Sequence, residues 1–341
     1  MTKPRTLRAK TPADLLALVP CVLGFHPEDS VVLLSTGRAG RQVHARVDLP
    51  EDDQTLQELA SSLLVAVRRA QVRQVALVVY SDDQCLALVS VGHLRSALEE
   101  AGVEVVVCLR ADGERWYSLD GCDDTCCPVE GTPYDVAAHE FTAQSVLDGQ
   151  VTYRSRQELA DSLVGTDPDA TEAVGEAADE AMRRFQNAAR HPLGMDSPDG
   201  ARQHLVTEGL WVRSRVRRYV STGEPLDPEE AGRMLVALVN IEVRDVAWAE
   251  ISRTDARVHV ELWRDLVRRT PLDLAAAPAA LLGFAAWLAG DGALSWCAVE
   301  RCQEAEPDYS LAALLTQALT SALDPATWER IPTDELTLFT G

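Results

Sequence analysis

Three groups of side chains in this 341-residue chain have the types and spacing to do chemistry. The first is the turn Cys122-Asp-Asp-Thr-Cys126-Cys127-Pro128, placed after a strand and before a helix. Thiolates gathered there bind zinc if Cys108 or His139 completes a tetrahedral set. The spacing C-x3-C-C is not a standard zinc knuckle, however, and adjacent Cys126 and Cys127 point apart in most backbones. Asp120, Asp123 and Asp124 also raise thiol pKa values rather than lower them. Three readings of the turn therefore stand, in this order: reduced structural thiols, then a zinc site or a redox pair.

The second group is GFHPEDS, residues 24–30. A histidine beside carboxylates serves as a general base, and Ser30 has the hydroxyl of a nucleophile. The plainer account is that Gly24 ends a helix, Pro27 fixes a turn, and Asp29 or Ser30 bonds backbone amides. Arg46 and Asp48 share one face of a strand, because alternate residues point the same way. With Trp116, which neighbours the cysteine turn, they complete a candidate ligand set of His26, Asp29, Arg46, Asp48 and Trp116 at the edge of a sheet, where open α/β sheets bind ligands. Tyr80, Ser81, Asp82 and Asp83 end the next strand and stand at the same crevice. The plainer readings are an ion pair for Arg46 with Asp48 and a helix cap for Ser81.

The third group is Arg213, Arg215, Arg217 and Arg218, interleaved with Trp211 and Tyr219. At helical spacing Arg213 and Arg217 share a face, and Arg215 and Arg218 a neighbouring one. Such a cluster suits a nucleic-acid or acidic partner, but in a chain of net charge −21 it is expected to be solvated or paired with the chain's own acids. No phosphate loop is present: GRAG at 37–40 lacks the Lys-Ser/Thr ending, and no G-x-G-x-x-G follows a strand. H-E-x-x-H and G-x-S-x-G are missing too, which removes the zinc-protease and hydrolase-elbow patterns.

The elements that position these groups are legible in the periodicity. Thr11, Pro12 and Asp14 open a helix as N-cap, first-turn proline and acidic third position, and Gly24 with Pro27 ends it. Val31–Leu34 and Val43–Leu49 read as two strands of a hairpin across the polar loop TGRAGRQ. Leu56, Leu59, Leu63, Leu64 and Val67 then recur every three to four residues and predict a helix. QVALVVY, residues 74–80, is an apolar run of the kind buried on both faces of a sheet. A helix over 83–101 leads to a second such strand at 103–109, and residues 115–119 add an edge strand. This alternation predicts an α/β domain over residues 1–150 with a mixed, partly parallel sheet of about five strands.

From Thr132 onward helix signals replace strands. Ser155 with Glu158, and Asp227 with Pro228 and Glu230, have the capping-box arrangement. Helices are predicted at roughly 134–148, 156–164, 169–189, 199–219, 228–239, 242–252, 255–269, 273–289, 293–304 and 309–322, making residues 151–341 an all-α array. Leu282-Gly283, the turn GDG, Val299, Cys302 and Pro307 have the spacing of one tetratricopeptide-like hairpin. Trp263, Trp287 and Trp296 lie in apolar frames and are expected in the core.

Composition bounds the class. With 46% hydrophobic and 25% charged residues the chain is globular, and its length suits two domains. Residues 1–150 carry 13 basic and 22 acidic side chains and the rest 19 and 31, so neither half is a basic nucleic-acid module and the overall field repels phosphate backbones. The amino terminus MTKPRTLRAK has charge but no apolar run behind it, so a cytoplasmic protein with reduced cysteines is expected. Leu274–Ala289 is Ala-rich, short for a membrane span and interrupted by Pro278 and Gly283; it reads as a buried helix, and no membrane association is expected.

LRAKTPADLLALVPCVLGFHPEDSVVLL (7–34), RWYSLDGCDDTCCPVEGTPYD (115–135) and AWLAGDGALSWCAVERCQEAEPDYSLAALL (286–315) together resemble the actinobacterial family catalogued as domain of unknown function 4192. The resemblance covers nearly the whole chain. It implies a cytoplasmic protein and supplies neither an activity nor catalytic residues. Two functional readings follow. The preferred one is an interaction or regulatory module that binds a protein partner through its helical half, since helical arrays expose concave surfaces. The alternative is an enzyme or small-ligand binder at the edge of the α/β sheet, with zinc or a thiol centre at the Cys122–Cys127 turn.

Overall fold

The computed structural model describes residues 9–36, 43–50, 52–120, 129–189 and 198–340. The chain divides into two compact units, residues 1–158 with 320–323, and residues 159–319 with 324–341.

The first unit begins with α1 (Pro12–Leu23). Its first-turn amides are satisfied as the sequence predicts: the Asp14 amide donates to Thr11 Oγ1 (3.1 Å), and the Asp14 carboxylate accepts from the amides of Lys10 (2.8 Å) and Thr11 (3.1 Å). Gly24, at φ +77°, closes the helix in the left-handed conformation that only glycine adopts without strain. Strands β1 (Ser30–Ser35) and β2 (His44–Asp48) form the expected hairpin. Then follow α2 (Asp53–Arg69), β3 (Gln74–Tyr80), α3 (Gln84–Glu100), β4 (Glu104–Ala111) and β5 (Arg115–Ser118).

The sheet order is β2-β1-β3-β4-β5-β6, where β6 is the two-residue strand Thr132–Pro133. The sequence predicted about five strands. The sixth carries no periodicity to read, and Pro133, which has no N–H to donate, suits the sheet edge it occupies. β3 and β4 pair in parallel, whereas β1 runs antiparallel to both its neighbours. The amino end of β1 therefore lies beside the carboxyl ends of β3 and β4. One face of the sheet presents Val31, Leu33, Val75, Leu77 and Val79 to the apolar stripes of α2 and α3, with Leu63, Val67, Val91 and Leu94 in the same core. On the other face Val32, Leu34, Ala76 and Val78 are also fully covered, which is why QVALVVY is apolar at nearly every position.

α4 (Glu140–Leu147) starts six residues later than the predicted 134. The Asp135 carboxylate accepts from the amides of Ala137 and Ala138, holding them in a turn, and His139 becomes the N-cap through Nδ1, which accepts from the Phe141 amide (3.2 Å). α5 (Arg156–Asp161) follows, with the predicted Ser155 Oγ accepting from the Glu158 amide.

The second unit contains α6 (Pro168–Ala189), α7 (Pro198–Thr222), α8 (Pro228–Leu238), α9 (Ile241–Glu250), α10 (Ala256–Arg268), α11 (Ala276–Ala289), α12 (Gly292–Ala305), α13 (Ser310–Thr320) and the short α14 (Thr337–Thr340). The predicted 273–289 helix is split into a 3-10 turn at Leu272–Leu274 and α11, whose first turn accommodates Pro278. α11 is buried on all sides, and it forms the expected hairpin with α12: Gly290 turns the chain at φ +84°, and Ser295 Oγ donates to the Gly283 carbonyl (2.8 Å). Trp263 and Trp287 are core residues as predicted, while Trp296 is half-buried. No helix among the described residues is long and apolar enough to cross a membrane.

Candidate functional site

A cavity of 540 Å³ opens at the carboxyl ends of β3 and β4, within the first unit. Its walls come from three places that are distant in sequence. Leu16 and Pro20 of α1 with the His26–Asp29 turn form one side, Tyr80, Ser81 and Asp82 after β3 the second, and Ala111–Gly113 with Tyr134–Val136 the third. The turn is anchored by a bridge to a segment distant in sequence: the His26 amide donates to the Tyr153 carbonyl (3.0 Å), and the Tyr153 amide to the Gly24 carbonyl (2.8 Å). Asp29 stands at φ +39°, and its carbonyl accepts from the Leu49 amide (2.9 Å).

The electrostatics of the cavity are set by burial and by carboxylates. Burial lowers the His26 pKa, so the imidazole is neutral at pH 7. Burial, with the Tyr134 phenol beside it, pushes Tyr80 well above the ordinary tyrosine value. Burial also raises Asp112, but the amides of Arg115 and Glu114, the Tyr117 hydroxyl and the nearby Arg110 charge outweigh it and hold the carboxyl below its usual range. Arg110 is itself buried; it donates to the Ser81 carbonyl (3.0 Å) and lies over the Tyr117 ring at 3.9 Å.

The sequence-predicted ligand set is only partly brought together. His26 and Asp29 line the cavity, as do Tyr80, Ser81 and Asp82. Arg46 is an outer support, bonded to the Glu28 carbonyl (3.2 Å) and paired with an exposed Asp48 (2.6 Å), and neither side chain lines the cavity. Trp116, on β5 opposite Ala111 and Thr132, is half-buried and outside the lining. Ser81 does not cap α3 as expected: Asp83 does, and the Ser81 hydroxyl accepts from the Asp83 amide one step earlier. Tyr134, Asp112 and Asp135 went unnoticed in the sequence; their only signal is the polar, glycine-containing turn that each adjoins.

Of the metal candidates, Cys122, Cys126 and Cys127 lie outside the described residues. Cys108 is fully buried under α3, where its Sγ accepts from Arg95 (3.0 Å) and its amide donates to Asp120 (2.9 Å). Burial pushes its thiol up to about 11. His139 has both ring nitrogens engaged, Nδ1 in the α4 cap and Nε2 with Asp14 (3.1 Å). No three His, Cys, Asp or Glu side chains converge as a metal site among the described residues.

The second unit carries a larger groove, of 1340 Å³, between α6, α7, α8 and the start of α9. Its apolar floor is Met182, Phe185, Leu205, Val236, Val239 and Val243, of which Val239 is 61% and Phe185 38% exposed. Trp211 forms part of the wall; Arg233, held by Glu208 (2.8 Å), stacks 4.2 Å above its ring. The charged lining is Glu176, Asp179, Glu180, Glu208, Asp227, Glu229 and Glu230 against Arg183, Arg184 and Arg233; Glu180, Glu208, Glu229 and Glu230 are ion-paired, and the excess of acid rests on the exposed Glu176 and Asp179 with Asp227.

The arginine cluster on α7 is self-paired, as expected. Arg215 (2.8 Å) and Arg218 both bond Glu230, while Arg213 (3.1 Å) and Arg217 (2.8 Å) converge on the buried Glu250, which also takes Arg330 (3.1 Å). The interleaved aromatics are packed or stacked rather than aligned as a nucleic-acid platform: Tyr219 is buried and Trp211 faces Arg233.

The family model described as Domain of unknown function (DUF4192) matches residues 12–326. The chain belongs to this family. The matched span takes in every residue that lines the cavity and the groove, so both lie within the domain of this DUF4192 member. No curated protein and no solved structure matches the chain.

Proposed function

We propose that this protein is an interaction module whose helical unit docks a basic, amphipathic helical segment of a protein partner in the groove lined by α6–α9. The observation that carries the reading is the combination of an exposed apolar floor and an acid-rich rim. At 1340 Å³ the groove exceeds the roughly 300–1,000 Å³ of small-molecule sites. An amphipathic helix, about 10–12 Å across with side chains, lays its apolar face into such a groove and its basic flanks against the acidic rim. Electrostatic complementarity supplies orientation and on-rate, and the apolar anchors supply affinity.

The test uses the full chain and a synthetic amphipathic helix of leucine and lysine, about five turns long, with a leucine–glutamate counterpart. Binding is measured by titration calorimetry at about physiological ionic strength. Val239→Arg places a like charge on the groove floor; Leu314→Arg, at a residue 55% exposed on α13, adds the same charge outside the groove. The lysine peptide should bind, the glutamate peptide should not, and Val239→Arg should weaken binding about tenfold or more while Leu314→Arg leaves it unchanged. Equal loss in the two variants, or no binding, discards the proposal.

A further inference from the structure

The Tyr80 hydroxyl is the unusual group in the wall of the α/β cavity. Only 8% of Tyr80 is exposed, yet its oxygen has no hydrogen-bond partner. A buried hydroxyl left in this state costs about 1–3 kcal/mol, and phenylalanine would fill the same space without that cost. Around it the cavity is negative. Glu28, Asp29, Asp82, Asp112 and Asp135 all line it, and among the described residues no Lys or Arg does. Asp112 and Asp135 are engaged by backbone amides, but the Glu28, Asp29 and Asp82 carboxylates make no hydrogen bond among the described residues and are exposed. Two guanidiniums adjoin the walls without lining the cavity: Arg110 donates to the Ser81 carbonyl, lies over the Tyr117 ring and offsets part of the Asp112 charge, and Arg46 donates to the Glu28 carbonyl and pairs with Asp48.

We infer that this cavity binds a small organic cation, a primary amine or guanidinium compound with an apolar body, whose N–H groups donate to the Tyr80 oxygen in the field of the surrounding carboxylates. An anion is disfavoured by five carboxylates with no cation among the lining residues. Among the described residues no three acidic, His or Cys side chains converge on a point, so the charge is spread to suit an extended cation rather than a single metal ion. The volume, 540 Å³, is in the range of small-molecule sites, and its lining includes the apolar Leu16, Pro20, Ala111 and Val136. The position, outside the carboxyl ends of two parallel strands, is where open α/β sheets hold ligands. This site is independent of the helical groove, so either proposal stands or falls alone.

The test is titration calorimetry on the full chain with phenethylamine and agmatine, beside phenylpropionate and phenethyl alcohol as the anionic and neutral forms of the same body. At least one amine should bind, and the acid and alcohol should not. Tyr80→Phe removes only the unpartnered oxygen and should keep the fold, checked by circular dichroism. It should weaken amine binding about tenfold or more, the loss for one hydrogen bond to a charged group. Asp82→Asn should weaken it several-fold, whereas Asp48→Asn, which removes an equal charge outside the cavity, should not; this separates the site from general attraction to a chain of net charge −21. Failure of both amines to bind at millimolar concentration overturns the inference. So does equal binding of amine and alcohol, or unchanged affinity in both Tyr80→Phe and Asp82→Asn.

Discussion

Replacing Gly232 by alanine sets two known effects against each other. Gly232 lies inside α8, where glycine costs about 1 kcal/mol relative to alanine, so helix propensity alone favours the substitution. The added methyl, however, would stand 2.5 Å from the Ala178 nitrogen, 2.6 Å from the Ala177 carbonyl carbon and 2.7 Å from the Ala177 Cβ. Carbon atoms prefer about 3.5–4.0 Å, so α6 and α8 would have to part by about 1 Å. The obstacles are backbone and a Cβ, which cannot rotate away, so the overpacking cost belongs at the upper end of its usual range, about 3 kcal/mol. The net expectation is a loss of about 2 kcal/mol. Gly175→Ala, in α6 itself, is the matched control: there the methyl meets only a ring carbon of Pro271, at 3.4 Å, and the helix-propensity gain of up to about 1 kcal/mol survives. Urea denaturation followed by tryptophan emission suits both variants, because six of the seven tryptophans lie in the second unit. With a slope of about 1–3 kcal/mol per molar, Gly232→Ala should lower the midpoint by about 1 M and Gly175→Ala should raise it slightly. A Gly232→Ala protein as stable as the parent would refute the close crossing of α6 and α8. A shift of the same sign in both variants would refute the reasoning that separates them.

Asp14 links local order to pH. The Lys10 amide, chiefly, with His139 and Thr11, outweighs burial and holds its carboxyl below the usual range. The stability it contributes is therefore fully present above the unfolded carboxyl value, about 3.9, and is lost as pH falls through the lower folded value. Asp14→Asn should cost about 1 kcal/mol near neutrality, read as faster hydrogen exchange of α1 amides, with the gap closing in strong acid; a gap independent of pH would contradict this. Thiol reactivity should follow burial: iodoacetamide at about pH 8 should label the exposed Cys85 in the native protein. It should leave Cys108, pushed up to about 11, and Cys302, pushed up to about 12 by burial and the nearby Glu306, unlabelled until unfolding. Native labelling of Cys108 as fast as Cys85 would place it outside the core.

The elements were legible in the sequence where the signal is short-range. β3 occupies residues 74–80 as the apolar run predicts, and α8 begins at Pro228 with Asp227 accepting from the Glu230 amide. Caps and periodicity are settled within a few residues, so they can be read without knowing what lies opposite. Where a side chain had two local options the reading slipped. The Asp135 turn delayed α4, and Asp83 rather than Ser81 took the cap of α3. Strand alternation correctly put Arg46 and Asp48 on one face, and there they pair with each other, outside the cavity.

Fold class, the run of helices, the buried character of α11 and membership of the DUF4192 family were thus determined by the sequence alone. Tertiary structure decided which side chains share a wall. Insertion of β1 antiparallel between β2 and β3 carries the His26–Asp29 turn to the ends of β3 and β4, and the β5–β6 pairing precedes the Tyr134–Val136 segment that closes the cavity. Beside the helical groove, Gly232 lets α6 and α8 approach while Glu208 and Arg233 bridge α7 and α8. The physical reason is common to both: periodicity encodes which face of an element is apolar, but not which neighbour covers it, and a cavity is defined by the neighbours.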